Sequence, residues 1–132
     1  MTRKFCYNKH MDTKTKLSTM WLVVMLNMIL ADVLSAFLAI QDPSLLSIPG
    51  DAKQMMAVSA VVINLPILMI YFSRTLPYKP NRIANILTSI LTTLFIVGGG
   101  SLLPHYLIIA LIEIVFLAAI LVTAVRWKRS NA

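Results

Sequence analysis

The chain is poor in charge, in acids, in cysteine and in glycine, and each shortage excludes something. Only 13% of its 132 residues are charged, and 5 acids stand against 12 Lys and Arg. A soluble domain carries about 25% charged residues, so this sequence is ill supplied for a surface facing water. The single cysteine, Cys6, allows no disulfide within the chain and no CxxC pair, which excludes oxidoreductases that cycle two thiols. In the basic arm near a membrane surface Cys6 is a palmitoylation candidate, an inert free thiol being the plainer expectation. Three of the four glycines are consecutive, Gly98 to Gly100, and read as a flexible turn, not a phosphate loop. No zinc spacing and no nucleophile constellation occurs, so no metal, no cofactor and no enzymatic activity are expected.

Apolar residues make up 58% of the chain, with a mean hydropathy of +0.80. They fall into blocks long enough to cross hydrocarbon, separated by the charge clusters. The predicted organisation is a basic arm over residues 1–16, a single membrane domain over 17–129 and a short tail over 130–132. Spans are expected at about 17–40, 54–72, 83–100 and 104–125. Met11 is a second candidate start. The first block follows a basic stretch, as a signal peptide would, but its apolar run exceeds ~7 to 15 residues and lacks an A-x-A site, so a retained span is expected. The fold class is all-α, a four-helix transmembrane bundle running up-down-up-down.

Local signals place the ends. Ser18 is a plausible N-cap of the first helix, with Trp21 at headgroup depth. Pro43, Pro49, Gly50 and the acids Asp42 and Asp51 interrupt the chain after Ile40, where Leu45, Leu46 and Ile48 are expected to dip into headgroups. Asp51 with Gln54 has capping-box spacing for the second helix. Pro66 lies inside that helix, and Asn64 is a candidate to occupy the carbonyl it frees. The stretch Ser73 to Arg82, with Pro77 and Pro80, reads as a rigid basic turn with Asn81 capping the third helix. Block three, Ile83 to Val97, covers only about 22 Å at 1.5 Å per residue and must borrow length from Gly98 to Gly100 or thin the bilayer locally. Pro104 suits the first turn of the fourth helix.

Orientation follows from the basic residues. Arg3, Lys4, Lys9, Lys14 and Lys16, then Arg74, Lys79 and Arg82, then Arg126, Lys128 and Arg129 share one side, leaving Lys53 alone opposite. By the positive-inside rule that side, with both termini, is cytoplasmic. The net charge of +7 is then accounted for by orientation and by anionic lipid headgroups as partners, with no nucleic acid implied.

The residues that need explaining are Asp32 and Glu113, since an acid at mid-span costs roughly 2.5 to 3.5 kcal/mol on insertion scales. Counted from the span ends, both lie about 12 Å below the outer surface, and the same arithmetic puts Asn64 about 15 Å down and Thr88 and Thr92 about 9 to 15 Å down. Asp32, Ser35, Ala36 and Ala39 share a face of helix one; Asn85, Thr88, Ser89 and Thr92 form a stripe on helix three; Tyr106, Ala110 and Glu113 align on helix four beside His105. Helices one and four are neighbours in such a bundle, so the acids are expected to meet across that seam. Two carboxylates at close range cannot both ionise cheaply and would share a proton or a cation.

The candidate binding layer is therefore Asp32, Glu113, Asn64, Thr88, Thr92, Tyr106 and His105, with Asn27, Ser35, Asn85 and Ser89 as interhelical hydrogen-bond glue. The plainer alternative is that both acids are protonated and satisfied by Asn and Thr. His105 reads as an interfacial residue, and the eight methionines, without a Met-x-x-Met series, as apolar filler and not a copper path. Two functions follow: a small-cation or proton-linked carrier, which at this size would need a second copy to line a path, or an accessory membrane protein docking a partner or lipid. An intramembrane enzyme using Asp32, Glu113, Tyr106 and His105 is the weakest reading.

The run Leu17-Ser18-Thr19-Met20-Trp21 with Asn27 and Ala31-Asp32-Val33-Leu34-Ser35 resembles the first helix of a family of small bacterial four-span membrane proteins of unknown function. Asn81-Arg82-Ile83-Ala84-Asn85-Ile86, Ile112-Glu113-Ile114 and Ala124-Val125-Arg126-Trp127 are similar to it as well. The resemblance covers most of the chain after Met11 and implies a bacterial inner-membrane location without an assigned activity. Small multidrug-resistance exporters have similar length but carry their glutamate in helix one, where this chain has Asp32.

Overall fold

A computed structural model of the chain describes residues 11–45 and 50–129. Cys6, Leu46, Ile48, Pro49, the basic residues Arg3, Lys4 and Lys9, and the tail 130–132 lie outside the described residues. Within them the chain forms four α-helices and no strand: α1 Thr13–Gln41, α2 Ala52–Thr75, α3 Tyr78–Gly98 and α4 Pro104–Arg126, with a 3-10 turn at Pro43–Leu45. All four are long and apolar enough to cross a membrane. This is a multi-pass membrane protein of the expected class.

The helix ends differ from expectation in instructive ways. Helix α1 begins at Thr13, four residues before its apolar run, with Asp12 at the N-cap position. Ser18 is consequently no cap: it is buried one turn in, and its Oγ donates to the Ile70 carbonyl of α2 at 2.7 Å. Asp51 does cap α2, its carboxylate accepting from Lys53 N at 3.0 Å, next to Gly50, whose φ of 85° suits glycine. The expected ten-residue basic turn shrinks to Leu76 and Pro77. Pro80 falls in the first turn of α3, where a missing N–H costs nothing, so helix continues through Asn81 and Arg82. Helix α3 thereby reaches 21 residues by extending backwards, taking only Gly98 of the three glycines. Pro104 opens α4.

Each helix packs against its sequence neighbours, and α1 also packs against α4, closing the ring. Antiparallel neighbours are fixed by contacts between opposite helix ends. Ser18 meets Ile70, Arg82 meets Ala124 and Val125, and Ser35 meets His105. One end of the bundle thus carries the starts of α1 and α3 and most of the described cations, and is called the basic end; the other is the far end.

Packing is uneven along the axis. On α1 the buried residues stop at Ala31, and on α2 they are Pro66, Met69 and Ser73, all in the half toward the basic end. On α3 and α4 burial runs the whole length, from Asn81 to Ile96 and from Ile109 to Ala124. The apolar core of Leu17, Trp21, Val24, Met28, Met69, Leu117 and Ile120 seals the basic half. The far halves of α1 and α2 are left open on one side.

Candidate functional site

A polar knot sits at the basic half, on residues buried from lipid and water. Trp21 Nε1 donates to Asn85 Oδ1 at 2.7 Å, and Ser73 Oγ donates to the same oxygen at 3.2 Å. Asn85 Nδ2 donates to the carbonyl and side-chain oxygens of Asn81 at 2.9 and 2.7 Å. Asn81 Nδ2 in turn reaches the Ser73 and Leu76 carbonyls at 2.8 and 3.2 Å. Trp21, Ser73, Asn81 and Asn85 are each fully buried. In hydrocarbon a polar side chain must find a partner, and here every member does. Trp21 is therefore a core residue tying α1 to α3, not an anchor at headgroup depth, and Asn81 is a strut between α2 and α3, not a cap.

The glue residues divide. Asn85 and Ser35 bond across helices. Asn27 Nδ2 bonds Val23 O, and Ser89 Oγ bonds Ile86 O, both within their own helix. Asn64 is exposed and donates back to Ala60 O at 2.7 Å. It neither joins the polar layer nor repairs the carbonyl four residues before Pro66, because its side chain turns to the preceding turn, as Asn does in a helix interior.

The acids lie in the other half. Glu113 is 4% exposed on α4, and its Oε1 has no hydrogen-bond partner. The only other buried polar side-chain atom in that condition among the described residues is Thr92 Oγ1. The register of α3 and α4, set by Arg82 with Ala124 and by Ile96 with Tyr106, puts Thr92 level with Glu113. Thr88, one turn away, is half-buried.

Asp32 continues the buried stripe of α1, four residues after Met28 and seven after Met25, yet is itself exposed because the far half of α2 does not cover it. The two acids are not at equal height. The Ser35–His105 contact sets the α1–α4 register so that Asp32 stands about 7 Å nearer the far end than Glu113 at 1.5 Å per residue. Counting inward from helix ends gave one layer because it ignored the extra turn by which α1 overruns α4. Side chains lean toward their own helix N-terminus, which in antiparallel helices draws the two carboxyls together. Asp32 and Glu113 lie within electrostatic range of each other, and Tyr106 of both.

Tyr106 donates to Ile96 O at 3.3 Å and packs against Gly100, where an added Cβ would stand 3.5 Å from its ring. His105 Nε2 and Ser35 Oγ stand 3.3 Å apart. Next to them a hollow of about 420 Å³ is lined by Ser35, Leu38, Leu45 and the α3–α4 loop from Gly99 to Leu103. The structure thus gathers Asp32, Glu113, Tyr106, Thr92 and the Ser35–His105 pair toward the open half. It leaves Asn64 outside. Among the described residues no three His, Cys, Asp or Glu side chains converge as a metal-ion site, so a cation held here would draw on two carboxyls with hydroxyl and carbonyl oxygens.

Sequence reasoning missed the closure of the basic end. Arg82 Nε and Nη2 donate to the Ala124 and Val125 carbonyls at 3.1 and 2.9 Å, and Tyr78 OH donates to Trp127 O at 2.6 Å with the two rings edge to face. Arg74 Nε donates to Ser18 Oγ at 3.0 Å. Two of the three cations assigned to a basic turn are therefore spent on the bundle's own polar atoms.

No curated protein and no solved structure matches the chain. The model of a family of unknown function, DUF6326, matches residues 4–132, nearly the whole chain, and the protein belongs to that family.

Proposed function

We propose that this four-span protein binds a small cation or a proton at Glu113 and Asp32, as the core of a carrier. The observation that supports it most is Glu113: a nearly fully buried acid inside a span, with one carboxylate oxygen lacking any partner, in a protein whose other half satisfies its buried polar groups. Unpartnered buried polar groups are rare in native structures, and an ionisable side chain inside a span is costly enough to point to a binding or proton-handling role. Asp32, exposed toward the open half, gives the second carboxyl an approach from the far end. The basic end is assigned to the cytoplasm by its cations, and the resemblance to small bacterial proteins makes the bacterial cytoplasmic membrane the location proposed. A second copy packed on the uncovered halves of α1 and α2 would shield Asp32 from lipid. No catalytic step is assigned.

The rival reading is an accessory protein whose polar groups only fix helix packing, favoured by the satisfied knot around Asn85. Purified protein in sealed vesicles with a pH-sensitive dye inside separates the two. Asp32→Asn and Glu113→Gln are expected to fold and to abolish cation-driven pH change. Unchanged flux in both variants, or none in the parent, sinks the carrier.

A further inference from the structure

We propose that the groove between the start of α1 and the end of α4 binds the phosphate of an anionic phospholipid headgroup. This site is separate from the acid pair and stands or falls without it. The groove, about 510 Å³, is lined by Lys16 from α1, by Arg126 from the last turn of α4 and by Lys128 just beyond it, with Thr13 and Thr123, and its one acid is Asp12. Three cations, from the start of α1 and from the end of α4 and the residues after it, line one hollow at the end of the spans, the depth at which lipid phosphates lie.

Two further features favour an anion there. Asp12 makes no side-chain cap bond, and the first turn of α1 holds no acid, so the positive end of a 29-residue helix opens on the groove with its leading N–H groups unclaimed by a side chain. The end of α4 would offset this with its carbonyls. Those of Ala124, Val125 and Trp127 are instead taken by Arg82 and Tyr78 from the α3 side. The negative pole is neutralised on one side of α4 while Arg126 and Lys128 line the groove on another.

A lipid is the occupant, not a soluble phosphate, because an apolar track runs on from the hollow. Val122 lines the groove, and Val115, Leu111 and Ile108 succeed it along α4 at helical spacing, 49%, 60%, 65% and 63% exposed in turn. An acyl chain lying on that track keeps its headgroup among the cations. Trp127, also in the lining, places an indole beside the headgroup.

Trp127 also reports the test. In bilayers of zwitterionic phosphatidylcholine and anionic phosphatidylglycerol, one or the other brominated, quenching of its fluorescence measures which lipid occupies the groove; Trp21, fully buried, adds a background common to the parent and every variant. The expected preference for phosphatidylglycerol is about 25-fold, since two net cations supply about fivefold each. The triple variant Lys16→Gln, Arg126→Gln, Lys128→Gln, which leaves Asp12 as the charge in the groove, is expected to lose the preference for phosphatidylglycerol completely. Lys16→Gln alone, which leaves α4 untouched should the triple variant fail to fold, is expected to lose about fivefold. Lys79→Gln with Arg129→Gln, on the neighbouring surface by Tyr78, is expected to keep the preference. The proposal is overturned if Lys16→Gln keeps the full preference, if the Lys79–Arg129 control loses it equally, or if free glycerol phosphate competes the brominated lipid away, which would make this a site for a soluble anion.

Discussion

Replacing Asn85 by alanine removes the centre of the knot, and the structure sets the size of the effect. Asn85 Oδ1 accepts from Trp21 and Ser73, and Nδ2 donates to Asn81, all among fully buried groups. The variant strands the indole N–H and the Asn81 side-chain oxygen with no water to take the bonds. Interhelical bonds in membranes average about 0.6 kcal/mol and reach about 1.7, and a buried polar group left unpaired costs about 1 to 3 kcal/mol. The loss expected for Asn85→Ala is therefore about 2 kcal/mol, read from dodecyl sulfate titrations of helical circular dichroism in mixed micelles. A double-mutant cycle with Trp21→Phe isolates the 2.7 Å bond, with an expected coupling of about 1 kcal/mol. A variant within about 0.5 kcal/mol of the parent, the ordinary range of a surface substitution, together with no coupling to Trp21, would refute the claim that this knot ties α1 to α3.

Three further outcomes follow from single features. The Ser44 hydroxyl, and then its backbone N–H, hold the exposed Asp42 carboxyl below the usual carboxylate range; Ser44→Ala is expected to raise it toward the ordinary value in a carboxyl-carbon NMR titration. Because the folded value is depressed, what this interaction contributes is present above the unfolded carboxylate's pKa and is lost as pH falls through the folded one. Arg82→Ala frees the Ala124 and Val125 carbonyls, and amide exchange over the last turn of α4 is expected to quicken about tenfold, the equivalent of one charge-assisted bond. With Cys6→Ser as background, Ser44→Cys is expected to react with a membrane-impermeant maleimide from outside intact cells and Arg129→Cys only after permeabilisation; the reverse pattern inverts the assigned orientation.

The four spans were legible because lipid imposes a one-dimensional requirement: an apolar run of sufficient length, bounded by charge. Helix ends were less so. Pro80 suggests a turn until it is seen that a proline in a first helical turn leaves the helix intact, and that single fact moves Asn81 and Arg82 from a loop into α3. Which polar side chains face each other was legible only in part. The spacing of Asn81, Asn85, Ser89 and Thr92 marks an inward face of α3, and that periodicity was available to find Asn81. Trp21 carries no such signal, since an indole near a helix start serves equally as an anchor and as a core donor.

Asn64 and Asp32 illustrate a different limit. Both occupy mid-span positions where a polar group is expected to turn inward, but Asp32 lies where α2 leaves α1 uncovered, and Asn64 stands about 180° around α2 from the buried Ser73 and so faces outward. No local pattern reports that α1 and α2 are less covered there than α3 and α4, nor that α1 overruns α4 by a turn. Those depend on how four helices of unequal length settle together. The pairing of Glu113 with an unpartnered Thr92 at the same level is likewise a product of register.

In the function proposed for this protein, a small cation that binds at Glu113 and Asp32 displaces the proton these carboxyls share. This displacement is tested most directly by adding sodium or potassium salts to the purified protein in weakly buffered detergent and counting protons released with an indicator dye, against a choline control at equal ionic strength. Saturable release of about one proton per chain is expected in the parent and none in the Asp32→Asn, Glu113→Gln double variant, as follows for one proton shared by two neighbouring carboxyls. Release of the same size from the double variant, or no release from a folded parent at any cation concentration, would contradict it.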